Sequence, residues 1–505
     1  MRNSRGHPLL EVPLRTQLAV VLPIAAVLRI AVAVLDHGIF WPDEIYQVTE
    51  PAHRLAFGYG FRAWEFRDGI RSWLLPGLLA GVLRVADLAG VHSGLGLMTV
   101  VRVLFALAGV AAVGATMALA WRIGGSVASL IAGSLSLAFP MVLVLGGHTF
   151  AESVSAPLLV GAAALVATRE VRTRHAAIAG VLAAFAVVMR PQNAIVLLGL
   201  AAVLAAWRVW RPLRAYVLAA AAVALVPLVL DWATWGAPFA SMTRYVEFNL
   251  AHASEFGTSS WHYYVDTLLS ANGVLILLVV VGIFAAARRA PGLIAIIVVY
   301  LVAHSVVGHK ELRFLLPIVP IALGVAAVGL AVVVEATASR LSAREGRRRR
   351  ALTTVVVALL VAMPVVGVVE AAGATVGAYG RPHLNANRSV WHLREGWNVL
   401  ASRAGTDGVL CGLASVPTGP VVTGGYSYLH RNVPVFAVTL DDLRATRELP
   451  RGANEAILGA RAPVPRGYHV VSTSGQFRLA RRAGRCGPPP ATASSELGGP
   501  PHTRS

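Results

Sequence analysis

Apolar residues in this chain gather in long runs, with polar residues confined to the short stretches between them. The first run, 18–35, has the length of about 20 helical residues that crosses a hydrocarbon core. Further runs follow at 99–120, 126–145, 150–167, 176–192, 194–208, 215–231, 265–286, 292–307, 314–335 and 351–371. With the first span at 17–36, the pattern predicts a polytopic α-helical membrane protein of about eleven transmembrane helices. One further run, 72–89, is short, broken by Pro76-Gly77, and carries Arg84 and Asp87. The loop charges decide its place. If 72–89 does not cross, the basic loops at Arg122, Arg169/Arg172/Arg174, Arg208/Arg211/Arg214, Arg288/Arg289 and 340–350 share a side with Arg2, Arg5 and Arg15. If it crosses, all of them move against the positive-inside rule. The run is therefore read as a helix lying in or dipping into the outer interface.

Beyond 371 the pattern changes. Short apolar runs at 408–413, 420–422, 433–439 and 469–472 are separated by Gly- and Pro-containing turns, which predicts a small α/β outer domain. The expected division is a transmembrane catalytic domain at 1–371, with its first outer loop at 37–97, then an extracytoplasmic domain at 372–485 and a disordered tail at 486–505. Cys411 and Cys486, the chain's two cysteines, both lie past 371, where an oxidising compartment would permit a disulfide.

Composition supports the membrane reading. The chain is 56% hydrophobic and only 14% charged, against roughly a quarter charged in soluble domains. A net charge of +19 would suggest a nucleic-acid partner in a soluble protein, but here the excess sits in inter-helix loops, where it orients helices. Nucleic acid is therefore not expected, and membrane lipids are. Of the 44 basic residues a single one, Lys310, is lysine. No signal cleavage is expected after the first span, and short loops with an arginine bias point to a bacterial inner membrane, N-terminus inside.

The densest polar stretch follows closely on the first span: Trp41-Pro42-Asp43-Glu44, Gln47, Glu50, His53, the Phe57-Gly58-Tyr59-Gly60 turn, Trp64-Glu65 and Ile70-Arg71-Ser72. Pro42 suits the first position of a helix, and two carboxylates suit its first turn. At helical spacing Asp43, Gln47, Glu50 and Arg54 would share one polar face. The bland reading is a solvated amphipathic helix. The predicted topology also puts 148–153, Arg190-Pro191-Gln192-Asn193, the loop 231–264 and Gly308-His309-Lys310-Glu311-Leu312-Arg313-Phe314 on the outer side. Charged groups at span ends are costly and usually functional.

Asp43 is a candidate general base, next to a second carboxylate, Glu44, that would raise its pKa. Arg190, His309, Lys310 and Arg313 are candidates for holding an anionic group, with arginine suited to bidentate phosphate binding and lysine to a point charge. The bland alternative is a cationic span end neutralised by Glu311. Trp64, Trp235 and Trp261 either stack on sugars or anchor in the interfacial belt. The dense Asp/His set of a metal site is missing, so neither metal nor cofactor is expected.

These motifs carry a resemblance. The stretch from Trp41 to Ser72 resembles the first outer loop of glycosyltransferase family 22, lipid-phosphosugar-dependent mannosyltransferases of the GT-C superfamily, with Trp41 where the family usually has histidine. His309-Lys310-Glu311-Leu312-Arg313-Phe314, followed by Pro317 and Pro320, resembles a second signature. Arg190-Pro191-Gln192 resembles the Arg-x-Thr segment with Gln192 for threonine, and Asp231 through Tyr264 a later loop. The likeness covers about residues 15–335. It implies a GT-C fold in which Asp43 deprotonates an acceptor hydroxyl with Glu44 as buttress or alternate. It also implies a polyprenyl-phosphate hexose donor, most often mannose, a lipid-linked glycan or lipoglycan acceptor, inversion at the anomeric carbon and no divalent metal. His309, Lys310, Arg313 and Arg190 would face the donor phosphate, and Gln47, His53, Trp64, Glu65, Arg71 and Glu311 would support the loops. Tyr426-Ser427-Tyr428-Leu429-His430 is similar to a late aromatic-histidine patch of the family.

Two other classes remain open on the residues. Another GT-C transferase would differ in its donor sugar. A lipid or sugar transporter should show internal repeats and mid-span charges, and neither is visible.

Overall fold

The computed structural model describes residues 12–252, 255–341, 345–381, 385–417, 419 and 422–483. The tail at 486–505, Cys486 and the apolar residues Pro420 and Val421 lie outside them. Among the described residues, six helices are long and apolar enough to cross a membrane: Leu14–Leu35, Gly94–Ala138, Trp210–Trp235, Tyr263–Ala285, Val319–Arg340 and Thr353–Ala372. Shorter apolar helices occupy Ala151–Leu165, Thr173–Met189, Pro191–Ala206 and Pro291–Val306. The protein is a multi-pass membrane protein.

Two of the expected spans, 99–120 and 126–145, are joined through Gly94–Ala138, which turns at Gly125 with φ 76°. Only glycine reaches that conformation without a Cβ penalty, so a one-residue kink replaces the expected loop. The run 72–89 forms the single helix Leu74–Leu88.

The chain folds as two compact units. The first takes residues up to 31, 105–147 and 151–389, which hold most of the apolar helices. Inside it the Arg29 guanidinium donates to the carbonyls of Ser136 (2.7 Å) and Leu137 (2.9 Å), occupying backbone acceptors exposed where Pro140 interrupts the helix.

The second unit takes 32–104, 148–150 and the segment from 390 onward. Its sheet comprises β1 (Leu413–Val416), β2 (Val435–Ala437), β3 (Glu455–Gly459), β4 (Tyr468–Ser474) and β5 (Phe477–Arg482), in the order β2-β1-β3-β5-β4. β1 pairs in parallel with β2 and β3, and β5 pairs antiparallel with β3 and β4. β3 is buried along its whole length, as a central covered strand should be. The helix Glu395–Thr406 contributes Trp397, whose indole N–H donates to Ser415 Oγ on β1 at 2.9 Å. Ala414, Val416, Leu443, Ala456, Leu458 and Ala480 form the core. The expected small α/β domain is thus present, and its strands β3 and β5 are two that the apolar runs do not mark. Cys411 is disulfide-bonded.

Candidate active site

The polar segment 37–97 lies wholly in the second unit. After Leu35 the chain is turned by Asp36, whose Oδ1 accepts from the Gly38 N–H (2.8 Å) and the His392 N–H (3.1 Å). Burial favours a neutral Asp36 carboxyl, but Arg102, His148 and those two N–H groups outweigh it and hold the pKa below the ordinary range.

Asp43 and Glu44 are given different environments. Glu44 is 2% exposed. Its Oε1 accepts from the N–H of Phe40 (2.6 Å) and Trp41 (3.3 Å), its Oε2 from His148 Nδ1 (2.7 Å), and its backbone carbonyl from Thr149 Oγ1 (2.8 Å). That carboxylate is saturated as a loop clamp. Asp43 is only half-buried. It stands close enough to Glu65 to raise the pKa of Glu65.

The polar face expected from Asp43, Gln47, Glu50 and Arg54 does not form. The chain makes a π-helical turn, Ile45–Thr49, before the α-helix Glu50–Phe57. Pro51 has no N–H to donate to the Gln47 carbonyl and its ring crowds it, so the ladder widens by one residue and the Glu50 N–H reaches Ile45 O. This shifts the register. Gln47 donates from Nε2 to Glu65 Oε1 at 3.0 Å. Glu50 turns inward to complete burial. There its Oε1 accepts from the N–H of Phe61 (2.8 Å) and Tyr426 (3.2 Å), and its Oε2 from the Ser427 N–H (2.9 Å) and Oγ (2.8 Å). Gly425 adjoins it at φ +55°, where a Cβ would fall 2.9 Å from Glu50 Oε2.

His53 is also buried. Its Nδ1 faces the Tyr59 carbonyl (3.2 Å), so that nitrogen carries the proton. Its Nε2 must then accept from His430 Nδ1, 3.0 Å away. Burial, reinforced by the neighbouring imidazole, lowers the His53 pKa to about 3, so the pair is neutral. Burial also lowers His430, against the attraction of Asp87.

Glu65 closes this region from the short helix Trp64–Arg67. Burial pushes its pKa up to about 7; Arg71 and Gln47 oppose the shift and Asp43 adds to it. Trp64 is half-buried.

The second signature lies in the first unit. Arg190 and Arg313, each 3% exposed, converge on Glu152, which is 1% exposed. Arg190 Nη2 pairs with Glu152 Oε1, and Arg313 Nη1 lies 3.8 Å from the same oxygen. Arg313 Nε also pairs with Glu311, whose other oxygen is 3.4 Å from His309 Nε2. Both guanidinium groups lie over the Phe314 ring, at 5.4 and 5.1 Å. Burial would raise Glu311, but Arg313 and His309 outweigh it and hold it far down, at about 2. Burial would lower His309, and Glu311 reverses that.

Lys310 differs from its neighbours. Its ammonium donates to the carbonyls of Ser259 (2.9 Å) and Gly308 (3.5 Å), and among the described residues it has no carboxylate partner. Burial holds its pKa below the ordinary lysine value. Of the four expected phosphate-side residues it therefore keeps the least compensated charge. Glu152 and His148 were not singled out as site residues, although both stand in a polar interruption, His148-Thr149-Phe150-Ala151-Glu152-Ser153, between apolar runs.

Among the described residues, one group brings metal-ligating atoms within 4.8 Å of one another: Asp36, His392 and Glu395. Glu395 Oε1 already accepts from the His37 N–H at 2.9 Å and its Oε2 lies 2.5 Å from His392 Nδ1, so the group is satisfied as a hydrogen-bonded corner.

The apolar helices, the polar segment 37–97 and the small C-terminal sheet give the GT-C fold. The structure of ArnT from Cupriavidus metallidurans bound to undecaprenyl phosphate shares this fold, with a TM-score of 0.56 at 18% identity over 94% of this chain and 99% of that one. The sequence model of the Alg9-like mannosyltransferase family matches residues 20–389, and the chain belongs to that family. GPI mannosyltransferase 3 of Yarrowia lipolytica is 31% identical over 60% of this chain and 60% of its own length. GPI mannosyltransferase 3 of Drosophila melanogaster is 27% identical over 58% and 53%. The match thus spans between half and two thirds of these relatives. Both are eukaryotic, and they lend no support to the bacterial inner membrane expected from loop lengths and arginine bias.

Proposed function

We propose that this protein is a mannosyltransferase that moves mannose from a polyprenyl-phosphate donor to a hydroxyl of a lipid-linked glycan. Membership of a mannosyltransferase family supports the reaction class. The observation that supports the mechanism is the unequal burial of adjacent carboxylates: Glu44 is buried and holds the loop through its hydrogen bonds, and Asp43 is half-buried. Asp43 accepts the proton of the acceptor hydroxyl as that hydroxyl's oxygen bonds the anomeric carbon, and the bond from that carbon to the phosphate oxygen breaks with inversion. The leaving polyprenyl phosphate carries the electron pair away. Lys310, whose ammonium is held by the Ser259 and Gly308 carbonyls, stabilises that phosphate, while Arg190 and Arg313 maintain the Glu152 and Glu311 lattice around the signature.

The test is transfer of radiolabelled sugar in membranes containing the protein, with polyprenyl-phosphate mannose beside other polyprenyl-phosphate sugars. Transfer from the mannosyl donor, lowered about 100-fold or more in Lys310→Ala, supports the reading. Transfer only from another sugar replaces mannose, and an unchanged rate in Lys310→Ala removes the lysine from the mechanism.

A further inference from the structure

Four helix ends of the first unit converge on a pocket of about 330 Å³ that the proposed reaction does not use. Its lining comes from segments distant in sequence: Arg122 just before the Gly125 kink, Thr168 and Arg169 past the helix Ala151–Leu165, Trp207 past Ala194–Ala206, and Arg288 with Arg289 before Pro291–Val306. No acidic residue lines it. Among the described residues none of the four arginines forms an ion pair. Arginines on such loops are expected as orienting charges, but Arg211 and Arg214, exposed at the start of Trp210–Val223, do not reach this pocket. The selection is spatial.

Part of the charge answers the helices themselves. More helix ends than helix starts meet here, and at about half an elementary charge per end the excess offsets only about one of the four arginines. The remainder is uncompensated positive charge in a concave site with a hydroxyl and an indole. Ile123, Val166, Val203 and Leu293 continue the wall as apolar surface.

We propose that this pocket binds the phosphodiester headgroup of an anionic membrane lipid. Guanidinium forks match phosphate oxygens bidentately. The pocket stands at the ends of apolar helices, the depth of lipid headgroups, where Trp207 suits the interfacial belt. Its apolar wall receives the first methylenes of the chains, which a free phosphate lacks. Basic pockets between membrane helices have this headgroup chemistry in general.

The experiment uses the purified full chain in phosphatidylcholine bicelles, with thermal unfolding followed as phosphatidylglycerol or inorganic phosphate is added. Phosphatidylglycerol is expected to raise the unfolding midpoint of the wild type and of Arg211→Gln/Arg214→Gln. In Arg122→Gln and in Arg288→Gln the apparent lipid affinity should fall about fivefold per arginine removed. Should these variants not accumulate, Arg122→Lys and Arg288→Lys keep the charge but lose the fork, and weaker lipid binding is again expected. Equal loss in the Arg211/Arg214 variant, an equal response to inorganic phosphate, no response of the wild type, or unaltered affinity in the lysine variants overturns the proposal.

Discussion

His148 Nδ1 lies 2.7 Å from Glu44 Oε2, and both residues are at most 3% exposed. The pair fixes the entrance to the polar segment 37–97, because the other oxygen of Glu44 holds two consecutive backbone N–H groups, those of Phe40 and Trp41. Adjacent carboxylates in sequence thereby acquire separate duties. His148→Ala should cost about 1–3 kcal/mol by leaving a buried acceptor half-satisfied. Denaturant unfolding of the purified protein measures it, and a loss below the error of that measurement would reduce Glu44–His148 to incidental packing.

Glu65 and His53 titrate in opposite senses. The folded pKa of Glu65 is about 7, above its ordinary 4.5, so the folded state binds the extra proton and stability falls as pH rises through that window. The full effect is about 3 kcal/mol. Glu65→Gln should remove this slope, as thermal midpoints between the two pH limits would show.

For His53 the folded pKa is about 3, below the ordinary 6.5. Its contribution is complete above 6.5 and is lost as pH falls, by about 2 kcal/mol at pH 5. Protonation would also place a second donor against His430 Nδ1. His53→Gln should flatten the acid limb of the stability profile. A limb as steep as the wild type's would assign acid sensitivity elsewhere.

Glu152 pairs with the buried Arg190 guanidinium and lies 3.8 Å from that of Arg313, which Glu311 also holds. Glu152→Gln should therefore destabilise by about 3–5 kcal/mol, because a buried cation left without its partner is more costly than the pair is favourable. Adding Arg190→Met should recover part of the loss. Folded yield and unfolding of the two variants compare these directly.

The apolar spans could be read from the sequence because membrane burial depends on local composition alone. The break between 120 and 126 was legible too, but not that it is a one-residue kink at Gly125, since a polar interruption reads the same whether the chain loops or bends. The Asp43 stretch was recognisable as a dense polar cluster, yet its face was misassigned, because Pro51 changes the register only through the π turn it induces. Glu50 was grouped with Asp43 by spacing, whereas its partners Tyr426 and Ser427 are more than 370 positions away. The clamp role of Glu44 likewise depends on His148, 104 positions on. β3 and β5 escaped notice because Glu455 and Arg481, paired across the two strands, break their apolar pattern.

The central claim concerns Asp43, and the rate of sugar transfer by Asp43→Asn, normalised to folded protein, tests it most directly. Loss of a general base predicts a fall of about 100- to 10,000-fold with the unfolding midpoint unchanged, while Glu44→Gln lowers the midpoint. Wild-type turnover in Asp43→Asn would contradict the account.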